Sequence, residues 1–301
     1  MTNAQAKPAA PEKKSGGFLG ELAEIVKTVV YALLIALVLR VVLFQPYTIP
    51  SASEEPNLFR GDYIIVSKWS YGWSQKSVPF LDLLPTFAPG RLFFQPPKRG
   101  DIIVFALPHD GHTNFIKRLI GVPGDKVQMK GGRLYINGQE APEQTATLPP
   151  TAKGTIDPPG LKGQLETNPD GKIYLTQVDP AAADPSGLDA PNANNTPVFV
   201  VPPHCYFMMG DNRDDSLDSR FDPQLPPDDP KLAGCGVTDF LSSPEAGVGF
   251  VPEENLVGKA QIVLVSWDTG IDEGDNSKAT LFKPWTWFTD LRFDRFFKVL
   301  H

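Results

Sequence analysis

The sequence has little that would bind a metal, a nucleotide or a nucleic acid. Its 301 residues include only two cysteines, Cys205 and Cys235, which are too few for a disulfide framework and lack the CxxC spacing of zinc sites, although one disulfide remains possible. The four histidines lie in polar, proline-rich or terminal context, where we expect solvated side chains. The formal net charge is -7, and no long Lys/Arg block occurs. We therefore expect no metal, no cofactor and no nucleic-acid partner.

Several familiar catalytic motifs are also missing. The chain has no GxSxG elbow, no HExxH, no GxxxxGK loop and no SxxK, so histidine-based catalysis has little support. What the chain does have is 31 prolines and 26 glycines, residues that interrupt helices and punctuate turns. This composition predicts few long helices and a mainly β protein.

Only one long apolar run occurs, TVVYALLIALVLRVVLF from Thr28 to Phe44. Extended back to Ile25, it is long enough for one transmembrane helix. A cleaved secretory signal is disfavoured because no small-x-small cleavage site follows, and a buried core helix is disfavoured because the run lacks a polar face. The lysines before the run place the N-terminus in the cytoplasm and the larger part outside, in the periplasm or cell exterior. We thus predict a single-pass membrane protein.

Strand signals dominate the rest of the chain. Two similar stretches, RGDYIIV from Arg60 and RGDIIVF from Arg99, each place a Gly-Asp turn before a β-branched run. Further strands are predicted at 126–130, 133–136, 198–201, 206–209 and 260–267, with one hairpin in ETNPDGKIYLTQ. The predicted segments are a cytoplasmic tail 1–24, a transmembrane helix 25–44, a catalytic β domain 45–125 and 203–283, an inserted, proline-rich second β region 126–202, and an aromatic and basic segment 284–301.

Two residues form a candidate catalytic pair. Ser53 lies in a turn, and Lys117 lies in the apolar stretch NFIKRLIGVPGD. Burial disfavours the ammonium form of lysine, and a neutral lysine can act as the base for a serine nucleophile. Taken alone, Ser53 also fits a turn former or helix cap, and Lys117 a solvated strand lysine.

Five blocks decide between these interpretations. IPSASEEPNLFRGDYIIVSK, RGDIIVF, NFIKRLIGVPGDKV, YFMMGDNRDDSLDSR and FVPEENLVGKA follow the apolar run in this order. The pattern resembles that of the bacterial type I signal peptidases, membrane-bound Ser-Lys endopeptidases that remove signal peptides from exported proteins. The resemblance implies an antiparallel β-sheet catalytic domain with an inserted smaller β domain, preceded by one transmembrane helix.

The resemblance also implies residue roles. Ser53 matches the nucleophile and Lys117 the general base, while the Ser51 hydroxyl and the Ser53 backbone N–H match the oxyanion hole. Ser216 matches a serine that orients the lysine, and Asp218 with Arg220 matches a supporting ion pair. The remaining matches are structural residues of the same loop, Asp211 and Arg213.

By the same resemblance, the substrate is an extended preprotein segment with small residues at P1 and P3. The matching substrate-binding positions are Ile49, Pro50, Glu54, Asn114, Phe115 and Ile116. Glu54 stands where the family usually has a methionine that helps to wall the P1 pocket. In an extended chain, alternation of side chains would turn Glu54 away from Ser53.

Other functions stay open at this point. One is another Ser-Lys protease, such as a pilus-assembly peptidase or a self-cleaving repressor, and another is an inactive homologue that binds exported chains. For the C-terminal FKPWTWFTDLRFDRFFKVLH, the mixture of aromatic and basic residues favours either a membrane interface or a terminal helix docked on the domain. The predicted partners are therefore preprotein signal peptides and the lipid bilayer.

Overall fold

The computed structural model describes residues 18–77, 90–149, 160–180, 192–236, 238–268 and 290–300. The chain divides into two compact units, residues 1–41 and 42–301. The described part of the first unit is helix α1, Phe18–Val38, and a π-helical stretch, Leu39–Leu43, follows it. Trp285 and Trp287 of the predicted aromatic segment lie outside the described residues.

Helix α1 differs in its bounds from the predicted 25–44. It begins earlier, at Phe18, and Phe44 belongs to a strand because its backbone finds partners in the next strand of the sheet. Apolar side chains are exposed along the helix; Leu33 is 64% and Ile35 is 61% exposed. Among the helices of the described ranges, none combines the length and the apolar character that crossing a bilayer requires.

The second unit is mainly β, as predicted. In chain order its described strands are β1 Phe44–Thr48, β2 Asp62–Ser67, β3 Ile102–Ala106, β4 Asn114–Gly121, β5 Lys126–Lys130, β6 Arg133–Ile136, β7 Gln139–Glu140, β8 Glu143–Ala146, β9 Lys162–Thr167, β10 Ile173–Val178, β11 Phe199–Val200, β12 Cys205–Met209, β13 Val251–Pro252, β14 Leu256–Ser266 and β15 Lys298–Val299. Short 3-10 turns lie at Gln75–Ser77, Pro230–Leu232, Glu253–Asn255 and Phe293–Arg295.

The large antiparallel sheet has the strand order β1-β2-β14-β3-β4-β12-β13, with β15 paired to β14. Every residue of β3 and of β12 is buried, which explains why both strands are almost continuous apolar runs in the sequence. Strands β5 to β11, which lie between β4 and β12 along the chain, form two smaller sheets, β10-β9-β8 and β11-β5-β6-β7. The fold class expected from the sequence, an antiparallel sheet with an inserted smaller β part, is confirmed.

The strand predictions succeed where the local pattern is strong. Strands β5 and β6 have the predicted bounds, and the predicted hairpin is β9 paired with β10. Strand β14 begins four residues before the predicted Ala260, because Leu256 and Gly258 already pair with β3. The described C-terminal residues dock through β15 rather than through a long helix.

A disulfide joins Cys205, at the start of β12, to Cys235 in the loop before β13. The sequence left this pairing open, because the two residues are 30 positions apart. The bond ties the long loop between β12 and β13 to the sheet.

Candidate active site

Ser53 lies in the turn that connects β1 to β2. Backbone hydrogen bonds close this turn internally, from Glu55 N to Ala52 O at 3.0 Å and from Leu58 N to Glu54 O at 2.9 Å. The ends of the turn are held where Ile49 N donates to Asp62 O at 2.9 Å and Gly61 N donates to Ile49 O at 3.0 Å. Gly61 adopts φ 84°, a left-handed conformation that favours glycine. The turn therefore presents Ser53 from a fixed backbone.

Lys117 reaches Ser53 from β4. Its Nζ lies in hydrogen-bond contact with Ser53 Oγ at 2.5 Å, although the two residues are 64 positions apart. Lys117 is 3% exposed. Burial lowers the pKa of Lys117, while the carboxyl groups of Glu54, Asp218 and Asp211 oppose the shift. The structure therefore brings the two sequence-predicted residues together in a setting that favours a neutral amine.

Ser51 lies on the other side of the nucleophile. Its Oγ is 3.3 Å from Ser53 Oγ, and the residue is exposed. The backbone of the nucleophile is held by Asn212, whose N–H donates to Ser53 O at 3.1 Å and whose Nδ2 donates to Ala52 O at 3.4 Å. Sequence reasoning missed Asn212; the signal that could have found it is its place in the GDNRDDSLDSR block.

Gly210, in the loop after β12, packs directly against the backbone of Ser53. A Cβ at Gly210 would lie 2.3 Å from Ser216 Oγ and 2.5 Å from Ser53 O, so only glycine fits between them. The close packing places Ser216 beside the nucleophile's backbone. Ser216 Oγ is buried without a hydrogen-bond partner among the described residues, and is thus free to bond a group that enters the site.

Asp218 and Arg220, which belong to the same loop, form a buried ion pair. Arg220 Nε and Nη2 each donate to Asp218 at 2.9 Å, and Gly210 N donates to Asp218 Oδ2 at 3.1 Å. Burial opposes ionisation of Asp218, but Arg220 and these hydrogen bonds lower its pKa below the ordinary value. The pair therefore stays ionised and holds Gly210 in place.

A second buried pair joins the loop to β4. Arg118 binds Asp211 in a bidentate manner, with Nε–Oδ1 at 2.6 Å and Nη2–Oδ2 at 2.7 Å, and both side chains are 1% exposed. Asn57 Nδ2 donates to Asp211 Oδ2 at 2.8 Å. Arg118 and Asn57 were not singled out from sequence, since nothing local reveals a partner 93 or 154 positions away.

Arg213 ties the same loop to the inserted strands. Its Nη1 donates to Glu166 Oε2 of β9 at 2.5 Å, and Glu166 also accepts a hydrogen bond from Tyr174 of β10. The backbone continues the connection, from Gln177 N to Asp211 O at 2.9 Å and from Arg213 N to Gln177 O at 3.0 Å. Asp211 and Arg213 thus connect this loop to β4 and to the inserted strands.

Glu54 corrects one expectation from the sequence. The chain turns at residues 53–57, so the alternation of an extended strand does not apply. Glu54 is fully buried, and its carboxyl oxygens have no hydrogen-bond partner among the described residues. Burial raises the pKa of Glu54 well above its ordinary value and the Asp211 carboxyl adds to the shift, while Lys117, Arg118 and the backbone N–H of Asp211 oppose it. The carboxyl is therefore close enough to Lys117 for the two groups to influence each other's pKa.

The other predicted substrate positions border an open strand edge. Asn114, Phe115 and Ile116 pair with β3 on one side, whereas β12 joins β4 only from Arg118 onward. On the remaining side, the described ranges contain no strand that pairs with these three residues. Ile49 packs in the core, and Pro50 is exposed.

No group of three His, Cys, Asp or Glu side chains that could hold a metal ion occurs within the described ranges.

The chain is similar to known proteins over most of its length. The family model described as signal peptidase, peptidase S26, matches residues 22–267. This chain belongs to that family. It is 35% identical over 280 residues to signal peptidase I of Rickettsia massiliae, and the match covers 90% of this chain and 91% of that protein. Signal peptidase I of Rickettsia typhi is 36% identical, with the same coverage.

A solved structure of a signal peptidase I from Enterococcus faecalis is also similar. The match covers 55% of this chain and 97% of the Enterococcus chain, at 23% identity and a TM-score of 0.27. The family assignment rests on the family model and on the Rickettsia relatives.

Proposed function

We propose that this chain is a serine endopeptidase that removes N-terminal signal peptides from exported preproteins and uses a Ser53–Lys117 dyad. The observation that carries the proposal is the 2.5 Å contact between Ser53 Oγ and Lys117 Nζ at a lysine whose pKa is lowered by burial. A serine hydroxyl is a weak nucleophile unless an adjacent base accepts its proton, and a neutral lysine can do this.

The reaction would take place in two steps. Neutral Lys117 takes the proton of Ser53 Oγ as the oxygen attacks the scissile carbonyl, and the ammonium then protonates the leaving amine, which frees the mature protein. Lys117 next activates a water molecule that hydrolyses the acyl-enzyme and restores Ser53. The Ser51 hydroxyl and the Ser53 N–H would bind the oxyanion, and each well-placed donor lowers the barrier by about 3 to 4 kcal/mol.

The supporting residues would act through the dyad. Ser216 Oγ has a free hydrogen-bonding capacity beside Gly210 and would orient the Lys117 amine. The Asp218–Arg220 pair would keep the Gly210 backbone, and with it Ser216, in position.

The substrate would add a strand to the open edge at Asn114, Phe115 and Ile116. Backbone hydrogen bonds along such an edge give affinity for any extended chain, and pockets for alternate side chains give specificity. The exposed Pro50 would border the substrate on the nucleophile side, whereas Ile49, which the sequence also suggested, packs in the core and would only support Pro50. Small residues at P1 and P3 are the specificity that we propose.

For the cellular location, we propose a single-pass anchor in the bacterial inner membrane, with the N-terminus in the cytoplasm and residues 45–301 in the periplasm or outside the cell. Helical backbone continues from Phe18 through Leu43, and the apolar side chains of α1 are exposed, which suits a lipid environment. The Cys205–Cys235 disulfide supports an oxidising compartment for the second unit.

The first experiment is cleavage of a preprotein that carries an Ala-x-Ala site by the full chain in detergent. We expect a new N-terminus directly after the second alanine, and we expect Ser53→Ala to abolish the product. Ser242→Ala, at an exposed serine in the loop before β13, is the matched control and should cut normally.

Two results would contradict the proposal. Undiminished cleavage by Ser53→Ala would exclude Ser53 as the nucleophile. Binding of the precursor by folded wild-type chain without any cleavage would favour the inactive homologue that binds exported chains.

A further inference from the structure

Glu54 is a buried acid for which the proposed mechanism has no use. The residue directly follows the nucleophile and is fully buried. Neither carboxyl oxygen accepts a hydrogen bond of normal geometry among the described residues, and the backbone N–H of Asp211 opposes the rise in its pKa without overcoming the effect of burial. A buried carboxylate without donors is costly, because it loses hydration and gains nothing in exchange. Burial therefore favours the protonated, neutral form of the side chain, which is unusual for a carboxyl group beside a catalytic serine.

The neighbouring carboxyl, Asp211, has the opposite surroundings. It accepts two hydrogen bonds from Arg118 and one from Asn57. Where two carboxyl groups lie near each other, ionisation of one disfavours ionisation of the other. The donors that stabilise a negative charge are therefore at Asp211, whereas burial and the Asp211 carboxyl favour the protonated form of Glu54.

We propose that Glu54 works as a neutral acid beneath the nucleophile, and that its ionisation at alkaline pH switches off the Ser53–Lys117 dyad. The inference rests on the proposed function, since it assigns a control to that dyad. It makes Glu54 a residue whose protonation state decides how well the site accommodates the oxyanion that forms when Ser53 attacks.

An ionised Glu54 would oppose the reaction through the charge that it adds beside Ser53. The alkaline limb lies above the titration of Lys117, so the lysine is already neutral there and the base stays available. A negative charge on the residue after Ser53 opposes the oxyanion that forms when Ser53 attacks a carbonyl. This effect is absent while Glu54 is protonated, so the neutral acid is the form compatible with catalysis.

The charged neighbours agree with this assignment. Glu54 is faced by Asp211 from the loop after β12 and by Lys117 and Arg118 from β4. Burial, with Asp211, raises the pKa of Glu54, and burial lowers that of Lys117. Asp218 and Arg220 also face Lys117, with opposite effects on its pKa. The carboxyl and the amine are therefore both driven toward their neutral forms.

The test is the pH profile of kcat/KM for the full-length enzyme and for Glu54→Gln, each normalised to its own maximum. We expect the alkaline limb of the glutamine variant to move to higher pH by about one unit or more, because glutamine has no proton to lose. The acid limb should stay in place, because Lys117 faces a neutral partner in both proteins. Glu140→Gln, at an exposed carboxyl of β7 that pairs with Arg133, should move neither limb.

Two outcomes would overturn the inference. If Glu54 is ionised in the working enzyme, removal of its charge moves the acid limb to lower pH and leaves the alkaline limb in place. If neither limb moves, Glu54 does not control the dyad. Inactivity of Ser53→Ala in the same assay separates these results from a failure of the proposed function itself.

A second measurement does not depend on activity. Suppose that the pKa of an acid is higher in the folded than in the unfolded chain. The acid's contribution to the free energy of unfolding then falls as the pH rises from the unfolded-state pKa to the folded-state pKa. The Tm of Glu54→Gln relative to wild type should therefore increase from about pH 5 upward. A difference that stays constant across this range would show that Glu54 is ionised in the folded protein, and would refute the inference.

Discussion

The chemistry of the site depends on how its single residues are solvated. Lys117 and Glu54 are both buried, and each is shifted toward its neutral form, whereas Asp211 and Asp218 are buried with arginine partners. The same burial therefore favours the neutral forms of Lys117 and Glu54, whereas Arg220 keeps the pKa of the equally buried Asp218 below its ordinary value. The presence or absence of donors decides between the two.

The lysine itself gives a direct prediction. Lys117→Arg should lower kcat/KM by about a hundred- to ten-thousandfold, because a guanidinium stays protonated and cannot act as the general base. Lys126→Arg, at an exposed lysine of β5, should have no effect and serves as the control. Near-normal turnover by Lys117→Arg would exclude Lys117 as the base.

The lowered pKa of Lys117 also sets the sign of the pH dependence. The protonated amine cannot accept the Ser53 proton, so wild-type cleavage should rise with pH through the lysine's pKa, at a pH below the ordinary value for lysine. The acid limb of kcat/KM measures this titration in the free enzyme.

At the scale of elements, three segments from distant parts of the chain build the site. The β1–β2 turn carries Ser53 and β4 carries Lys117. The loop after β12 contacts the turn through Gly210 and Asn212 and contacts β4 through the Asp211–Arg118 pair. Local patterns predicted the strands, because side-chain alternation and turn residues are local properties. They did not predict the contacts of the loop, which join residues more than 90 positions apart.

The Arg118–Asp211 pair is the strongest test of this assembly. Asp211→Asn should lower the free energy of unfolding by about 3 to 5 kcal/mol, because it leaves Arg118 buried without its counter-charge. Denaturant unfolding measures the loss. Asp170→Asn, which breaks a half-exposed pair with Arg99, should cost less than about 1 kcal/mol. Similar losses for both variants would show that the buried pair does not fix the loop.

At the scale of the whole molecule, the chain divides into residues 1–41, whose described part is helical, and a β unit, residues 42–301. The second unit contains both members of the dyad and the disulfide, all within residues 42–301. Its large sheet carries the site, and the inserted strands β9 and β10 reach the same loop through Glu166 and Gln177.

This division predicts what the first unit does. A chain that begins at Val42 should leave the membrane fraction after a carbonate wash, whereas the full chain should stay in the pellet, because only the full chain has the apolar helix. The truncated chain should still form the Cys205–Cys235 bond when made in the periplasm. Its retention in the washed pellet would show that the anchor lies elsewhere.

The sequence by itself determined the candidate nucleophile, the candidate base, the β class and the strong strands, because apolar alternation, turn residues and ordered motif blocks are all readable along the chain. Only the tertiary structure decided that Asn212 holds the nucleophile's backbone, that Cys205 pairs with Cys235, and that Asp211 rather than Glu54 has the charge-stabilising donors. The physical reason is that solvation and hydrogen-bond partners depend on which distant residues fold together, and the protonation of a buried group depends on both.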